Sequence, residues 1–220
     1  MEKIESQDKL FSDLKPPSKN KIKEFFTLFL KLTIGILLLP VVYAVTVNFG
    51  QELLKVEPSV SHSFLWGIVS FVGAYLFIGE PAILYKKGQR IVEVLVRFFA
   101  PLVKVAPFVL PIYTILIFSI YLILSSLMDI REYITMFLFM IGFSISLHLV
   151  FSAKTLRLKQ GDNLKAGYLF GFSWIYILDA IIVAGFLNSA FEQFSFLSFF
   201  NGSYQISKDI FVAVFKQLFL

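Results

Sequence analysis

Asp179 is the one acidic side chain near the middle of an apolar run, so any buried chemistry in this chain has to be sought there first. An ionised aspartate at the centre of a membrane helix costs roughly 2.5–3.5 kcal/mol on insertion scales, and it therefore turns toward protein or water. Protonated, it is a packing residue that donates a hydrogen bond; ionised, it marks a cation or proton site. Gly167, Gly171, Ile175 and Asp179 recur at intervals of four, on one stripe of a helix. In the preceding run Ser144, His148 and Ser152 do the same. Ser144, His148 and Asp179 are thus the buried polar candidates, and the Gly167-x-x-x-Gly171 pair permits close helix approach. Counting from the cytoplasmic ends of the runs at about 1.5 Å per residue places Asp179 roughly 18 Å deep, Ser144 roughly 14 Å and His148 roughly 8 Å. On that count Asp179 reaches the Ser144 region, or Glu93's helix if that segment dips into the membrane, and His148 is too shallow to touch it.

A second constellation lies outside the apolar runs. Lys86, Arg90, Glu93 and Arg97 follow one another at spacings of four, three and four, along one face of a helix. Leu84, Ile91, Leu95, Phe98 and Leu102 line another face. Such a helix lies in the cytoplasmic interface, apolar side in lipid, with anionic headgroups near Lys86, Lys87, Arg90 and Arg97. Pro101, Pro107 and Pro111 then break or kink the chain as it enters the next apolar run.

The segment Glu80-Pro81-Ala82-Ile83-Leu84-Tyr85-Lys86-Lys87-Gly88-Gln89-Arg90-Ile91-Val92-Glu93 resembles the one that carries G-H-E-x-x-H in site-2-protease-like intramembrane metallopeptidases. In that family two histidines one turn apart bind zinc and the glutamate activates water. Here Gln89 stands at the first histidine, Arg90 at the general base and Glu93 at the second histidine. Leu178-Asp179-Ala180 is similar to the family's L-D-G, whose aspartate is the third ligand, with alanine replacing the glycine. The resemblance covers roughly residues 63–188. It implies a pseudo-protease: glutamine is a weak ligand, and an arginine places positive charge where the metal would bind. No catalytic residue, metal or cofactor is implied. The alternative to any kinship is an ordinary interfacial amphipathic helix.

The elements that must position these residues are set by composition. The chain is 57% hydrophobic and only 16% charged, with 27 phenylalanines among 220 residues, against about a quarter charged in soluble domains. It contains no cysteine, which excludes disulfides and thiolate chemistry. Its net charge of +5 sits on residues flanking apolar runs, so the expected partner is the lipid bilayer and not nucleic acid. Five spans are expected: Phe25–Val47, Ser63–Gly79, Val105–Met128, Tyr133–Ala153 and Gly167–Leu187, the second being the shortest. The fold class is all-α, a polytopic membrane helix bundle with the interfacial helix and a C-terminal surface helix added. Residues 1–24 form a polar cytoplasmic arm, 25–187 the membrane domain and 188–220 an external tail. In that tail Ile206, Ile210, Phe211, Val214, Phe215 and Leu218 make an apolar face opposite Lys208, Asp209 and Lys216. The glycosylation triplet Asn201-Gly202-Ser203 is of the kind that arises by chance.

Lysine and arginine are dense in the arm, in the segment after the second span and in the loop after the fourth, and sparse between. The positive-inside rule then puts the N-terminus in the cytoplasm and the C-terminus outside, in what is expected to be the bacterial inner membrane. Three functions are compatible with these residues: a non-catalytic membrane protein of pseudo-protease type that binds membrane partners; a small transporter or channel subunit using Asp179; and an intramembrane metallopeptidase. The last lacks its ligands and its base.

Overall fold

The computed structural model describes residues 19–78, 109–159 and 166–219. Within them the chain is a helical bundle: α1 (Lys19–Leu53), α2 (Pro58–Ile78), α3 (Ile112–Leu127), α4 (Ile134–Lys159), α5 (Ala166–Ala190) and α6 (Phe196–Phe219), with a single 3-10 turn, Arg131–Tyr133, leading into α4. The interfacial helix expected around Lys86–Leu102 lies outside the described residues, as does the arm before residue 19.

Four of these helices, α1, α2, α4 and α5, are long and apolar enough to cross a membrane, which makes this an integral membrane protein. In a bilayer nothing but the chain itself can satisfy backbone N–H and C=O groups, so long apolar runs fold as helices. Their outer faces are covered with large apolar side chains, among them Phe25, Phe29, Trp66, Phe77 and Trp174, and a soluble bundle would place charge there.

The boundaries differ from the sequence reading in instructive ways. The second apolar run is not the short one: α2 begins at Pro58, five residues ahead of Ser63, because proline suits the first helical position, where no N–H is needed. The short helix is α3. Its 16 described residues span about 24 Å, less than the ~30 Å of hydrocarbon. The expected start of that run, residues 105–108, lies outside the described residues. Helix α4 continues past Ala153 to Lys159, carrying Lys154 and Arg157 on helix rather than loop. In α1, Pro40 lies inside the helix and removes one rung of its ladder.

α1 packs chiefly on α5, with α6 laid along α1, and α2 packs chiefly on α4. The α2–α4 crossing runs through two glycines. A Cβ on Gly67 would fall 2.1 Å from the Phe139 carbonyl oxygen, and one on Gly142 would fall 2.2 Å from that of Phe64. The hydrogens that stand there instead make the Cα–H···O contacts common between close helices. The expected glycine pair behaves otherwise. Gly171 faces the Leu156 side chain, 3.0 Å from where a Cβ would sit, so it meets a flexible group and not backbone.

Aromatic rings pack the end of the bundle that carries the α1–α2 and α3–α4 turns. Phe118 and Tyr121 of α3 meet Phe186 of α5 at centroid distances of 4.7 and 5.6 Å, and Tyr121 meets Phe137 of α4 at 5.3 Å. In the same cluster Phe49, Phe64, Phe194 and Phe199 gather near the α1–α2 turn. Such edge and tilted pairs contribute about 0.5–1.5 kcal/mol each beyond burial.

Helix α6 is longer than the expected surface helix. It starts at Phe196, where Ser195 Oγ accepts the Ser198 N–H at 3.2 Å and Asn188 Oδ1 accepts the Phe196 N–H at 2.9 Å. Its inward stripe is Phe199, Ser203 and Ser207, each serine donating back to a carbonyl one turn earlier. The predicted apolar face is only half-buried at Ile206 and Ile210, and it is exposed from Phe211 through Val214, Phe215 and Leu218. Asn201 of the glycosylation triplet is on this helix, with Ser203 turned inward.

Candidate functional site

The site grows from one register. Leu156 and His148 lie eight residues apart on α4, and Gly171 and Asp179 lie eight apart on α5. With the two helices antiparallel, Leu156 meets Gly171, and two turns deeper His148 meets Asp179. His148 Nε2 is 3.6 Å from Asp179 Oδ1, with both residues 1% exposed. That is just beyond a hydrogen bond and within reach of an ion pair. Ser152 Oγ stands 3.4 Å from the same Nε2, one turn along α4. Neither Asp179 oxygen has a hydrogen-bond partner among the described residues, an unusual state for a buried carboxyl.

The depth count from sequence is corrected here. It measured His148 from Ala153, but α4 runs to Lys159, which puts His148 about 16 Å from its helix end. Asp179 lies about 20 Å from Ala166, so the two are nearly level. The shallow histidine is the neighbour. Ser144, the expected neighbour, bonds instead to Thr114 of α3 at 2.8 Å and donates to the Ile141 carbonyl at 3.1 Å. Thr114 is 1% exposed and was not singled out from sequence. A lone threonine in an apolar run carries no signal of its own.

Asp179 forms part of the wall of a cavity of about 410 Å³ lined by α1, α2, α4 and α5. The lining is mostly apolar, including Phe49, Phe64, Ile145 and Val183. Its polar groups are Asp179, Ser146 and the hydroxyl pair Thr46–Tyr176, whose oxygens are 2.8 Å apart and tie α1 to α5. Ser146 is occupied with the Gly142 carbonyl at 2.9 Å. An apolar space with one unsatisfied carboxyl is suited to binding and orienting a ligand or cation. Among the described residues that line it, no nucleophile is paired with a base.

A second polar cluster joins α1 to the start of α6. Asn48 Nδ2 donates to the Phe199 carbonyl at 2.6 Å and lies 3.2 Å from that of Ser198. Glu52, 3% exposed, pairs with Lys55, and its other oxygen lies 3.5 Å from the Ser195 N–H. These groups hold a turn in place.

The degenerate zinc-motif positions Gln89, Arg90 and Glu93 lie outside the described residues, as do Lys86, Lys87 and Arg97. Among the described residues no group of three or more His, Asp or Glu side chains is placed to hold a metal ion. Compared with known proteins, the chain matches no family model, no curated protein and no solved structure.

Proposed function

We propose that this integral membrane protein is a small non-catalytic transporter or channel subunit whose working element is the Asp179–His148 pair. The observation that carries the reading is a carboxyl and an imidazole 3.6 Å apart, both buried at mid-helix in a membrane bundle, with the carboxyl oxygens unsatisfied among the described residues. Ionisable groups inside a membrane are costly, and where they occur in spans they mark ion paths and proton relays. In this reading the pair takes up and releases a proton or a small cation as the bundle changes its access. The reading takes the N-terminus as cytoplasmic, as the lysine and arginine distribution favours, and the membrane as a bacterial inner membrane.

The test is flux. Protein reconstituted in phosphatidylcholine vesicles with an internal pH dye is challenged with a potassium-diffusion potential. The expected result is protein-dependent acidification or alkalinisation that is lost in Asp179→Asn. Equal flux in the wild type, the variant and empty vesicles, repeated with a sodium-sensitive dye, overturns the reading.

A second reading has one observation in its favour. Asp179, which stands where site-2-protease-like proteins carry their third metal ligand, is buried inside the bundle and not turned to lipid. A pseudo-protease would use the same cavity to hold a transmembrane segment of a partner. In that case Asp179→Asn leaves ion flux at the empty-vesicle level and alters the set of membrane proteins crosslinked to residues around the cavity.

A further inference from the structure

We infer that the cavity beside Asp179 is a binding site for a lipophilic amine, a molecule with an apolar body and a protonated nitrogen, taken up sideways from the bilayer. The inference rests on the reading of Asp179 as a cation site and names the class of cation.

Three features support this occupant. The first is charge. Asp179 is 1% exposed, lines the cavity and has no donor within hydrogen-bond distance among the described residues, His148 Nε2 standing off at 3.6 Å, so an ammonium group would supply the donors it lacks. The second is the rest of the lining. A bare metal ion or a hydrated one needs several oxygens around it, and Ser146 and the Thr46–Tyr176 pair are already engaged with other groups. The remaining wall, with Phe49, Phe64, Leu65, Ile68 and Val183, suits hydrocarbon, and its two phenylalanines can face a cation. At about 410 Å³ the space lies in the range of small-molecule pockets, roughly 300–1,000 Å³.

The third feature is the entrance. Thr46 and Leu65 belong to the lining and are also exposed on the outside of the bundle, on α1 and α2, among side chains that face lipid. The cavity therefore communicates with the hydrocarbon between these two helices. A ligand dissolved in the membrane reaches Asp179 without crossing water.

The experiment compares decylamine, decanol and decanoate, which share a chain and differ in the head. Each is added to the protein in phosphatidylcholine nanodiscs, and the thermal unfolding midpoint is read. Decylamine should raise the midpoint by about 5 °C at a hundredfold excess over its Kd. Decanol and decanoate should leave it unchanged. Asp179→Asn should abolish the decylamine shift. A second variant, Gly50→Leu, tests the space itself: Gly50 lines the cavity, and a Cβ there meets nothing within 4 Å, so a leucine enters the void with Asp179 intact. It too should abolish the shift. Decanol matching decylamine, a shift surviving in Asp179→Asn, or no shift with any probe overturns the inference. Because binding is measured without flux, a failure here leaves the ion-flux result standing, and an absent flux leaves a positive binding result standing.

Discussion

Gly67 lies so close to Phe139 that a Cβ on the glycine would sit 2.1 Å from the phenylalanine's carbonyl oxygen. The obstacle is backbone, which cannot swing aside as a side chain can. Gly67→Ala and Gly142→Ala are therefore expected to push α2 and α4 apart and lower stability by about 1–3 kcal/mol or more each. Gly73→Ala is the control: a Cβ there meets nothing within 4 Å, and loss of glycine freedom in a helix favours folding by roughly 0.5–1 kcal/mol. Denaturation in mild detergent should rank Gly73→Ala above the wild type and both crossing variants below it.

Asp179 leads to a prediction of the opposite sign. Its oxygens are buried without a partner among the described residues, so the carboxyl is kept at a cost to stability. Asp179→Asn and Asp179→Leu should unfold no earlier than the wild type, and Asp179→Leu is expected to be the more stable by about 1 kcal/mol or more, because it removes the unsatisfied oxygens. A clear loss of stability in both would make Asp179 a structural keystone instead.

Asn48 should be a coupling point between α1 and α6. Asn48→Ala removes the donor to the Phe199 carbonyl and is expected to cost about 1–3 kcal/mol. Gly202→Ala would bring a Cβ to 2.5 Å from Asn48 Oδ1 and should also destabilise. Because the second change acts through the first residue, the double variant should be less damaged than the sum of the two. A simple sum in a double-mutant cycle would mean that α6 is held elsewhere.

Topology gives the fourth expectation. Reporter fusions after Lys55, Lys86, Arg131, Lys159 and Leu220 should read outside, inside, outside, inside and outside. A cytoplasmic signal at Leu220 would mean that one apolar helix has been counted wrongly, with the short α3 and the long α6 the first to re-examine.

The helices were legible because an apolar run of some twenty residues has one fold available in lipid. Their ends were less so. Lys154, Arg157 and Lys159 read as a loop because charge usually leaves the membrane, yet long basic side chains can stay on a helix and reach the surface. That shift of α4's end hid the His148–Asp179 contact. The stripes holding Ser144, His148 and Asp179 could be seen from their spacing alone. Their pairing could not, since register depends on where the α4–α5 turn falls. The Gly67–Gly142 crossing was missed: each glycine has a serine four positions away, Ser63 and Ser146, but such a small pair does not say which helix it faces. Asn-Gly is a common turn dipeptide, yet α6 runs straight through Asn201-Gly202, where Gly202 leaves room for Asn48.

Where Asp179 and His148 sit has one more consequence. α2 is fastened to α4 through glycines, and α1 to α5 through Gly35, where a Cβ would meet the Phe170 nitrogen at 3.1 Å. The protein is thus two riveted pairs, and the cavity lies along the seam between them. Asp179 belongs to one pair and His148 to the other. Any slide of one pair past the other would change the cavity and the carboxyl–imidazole distance together, with both rivets left in place.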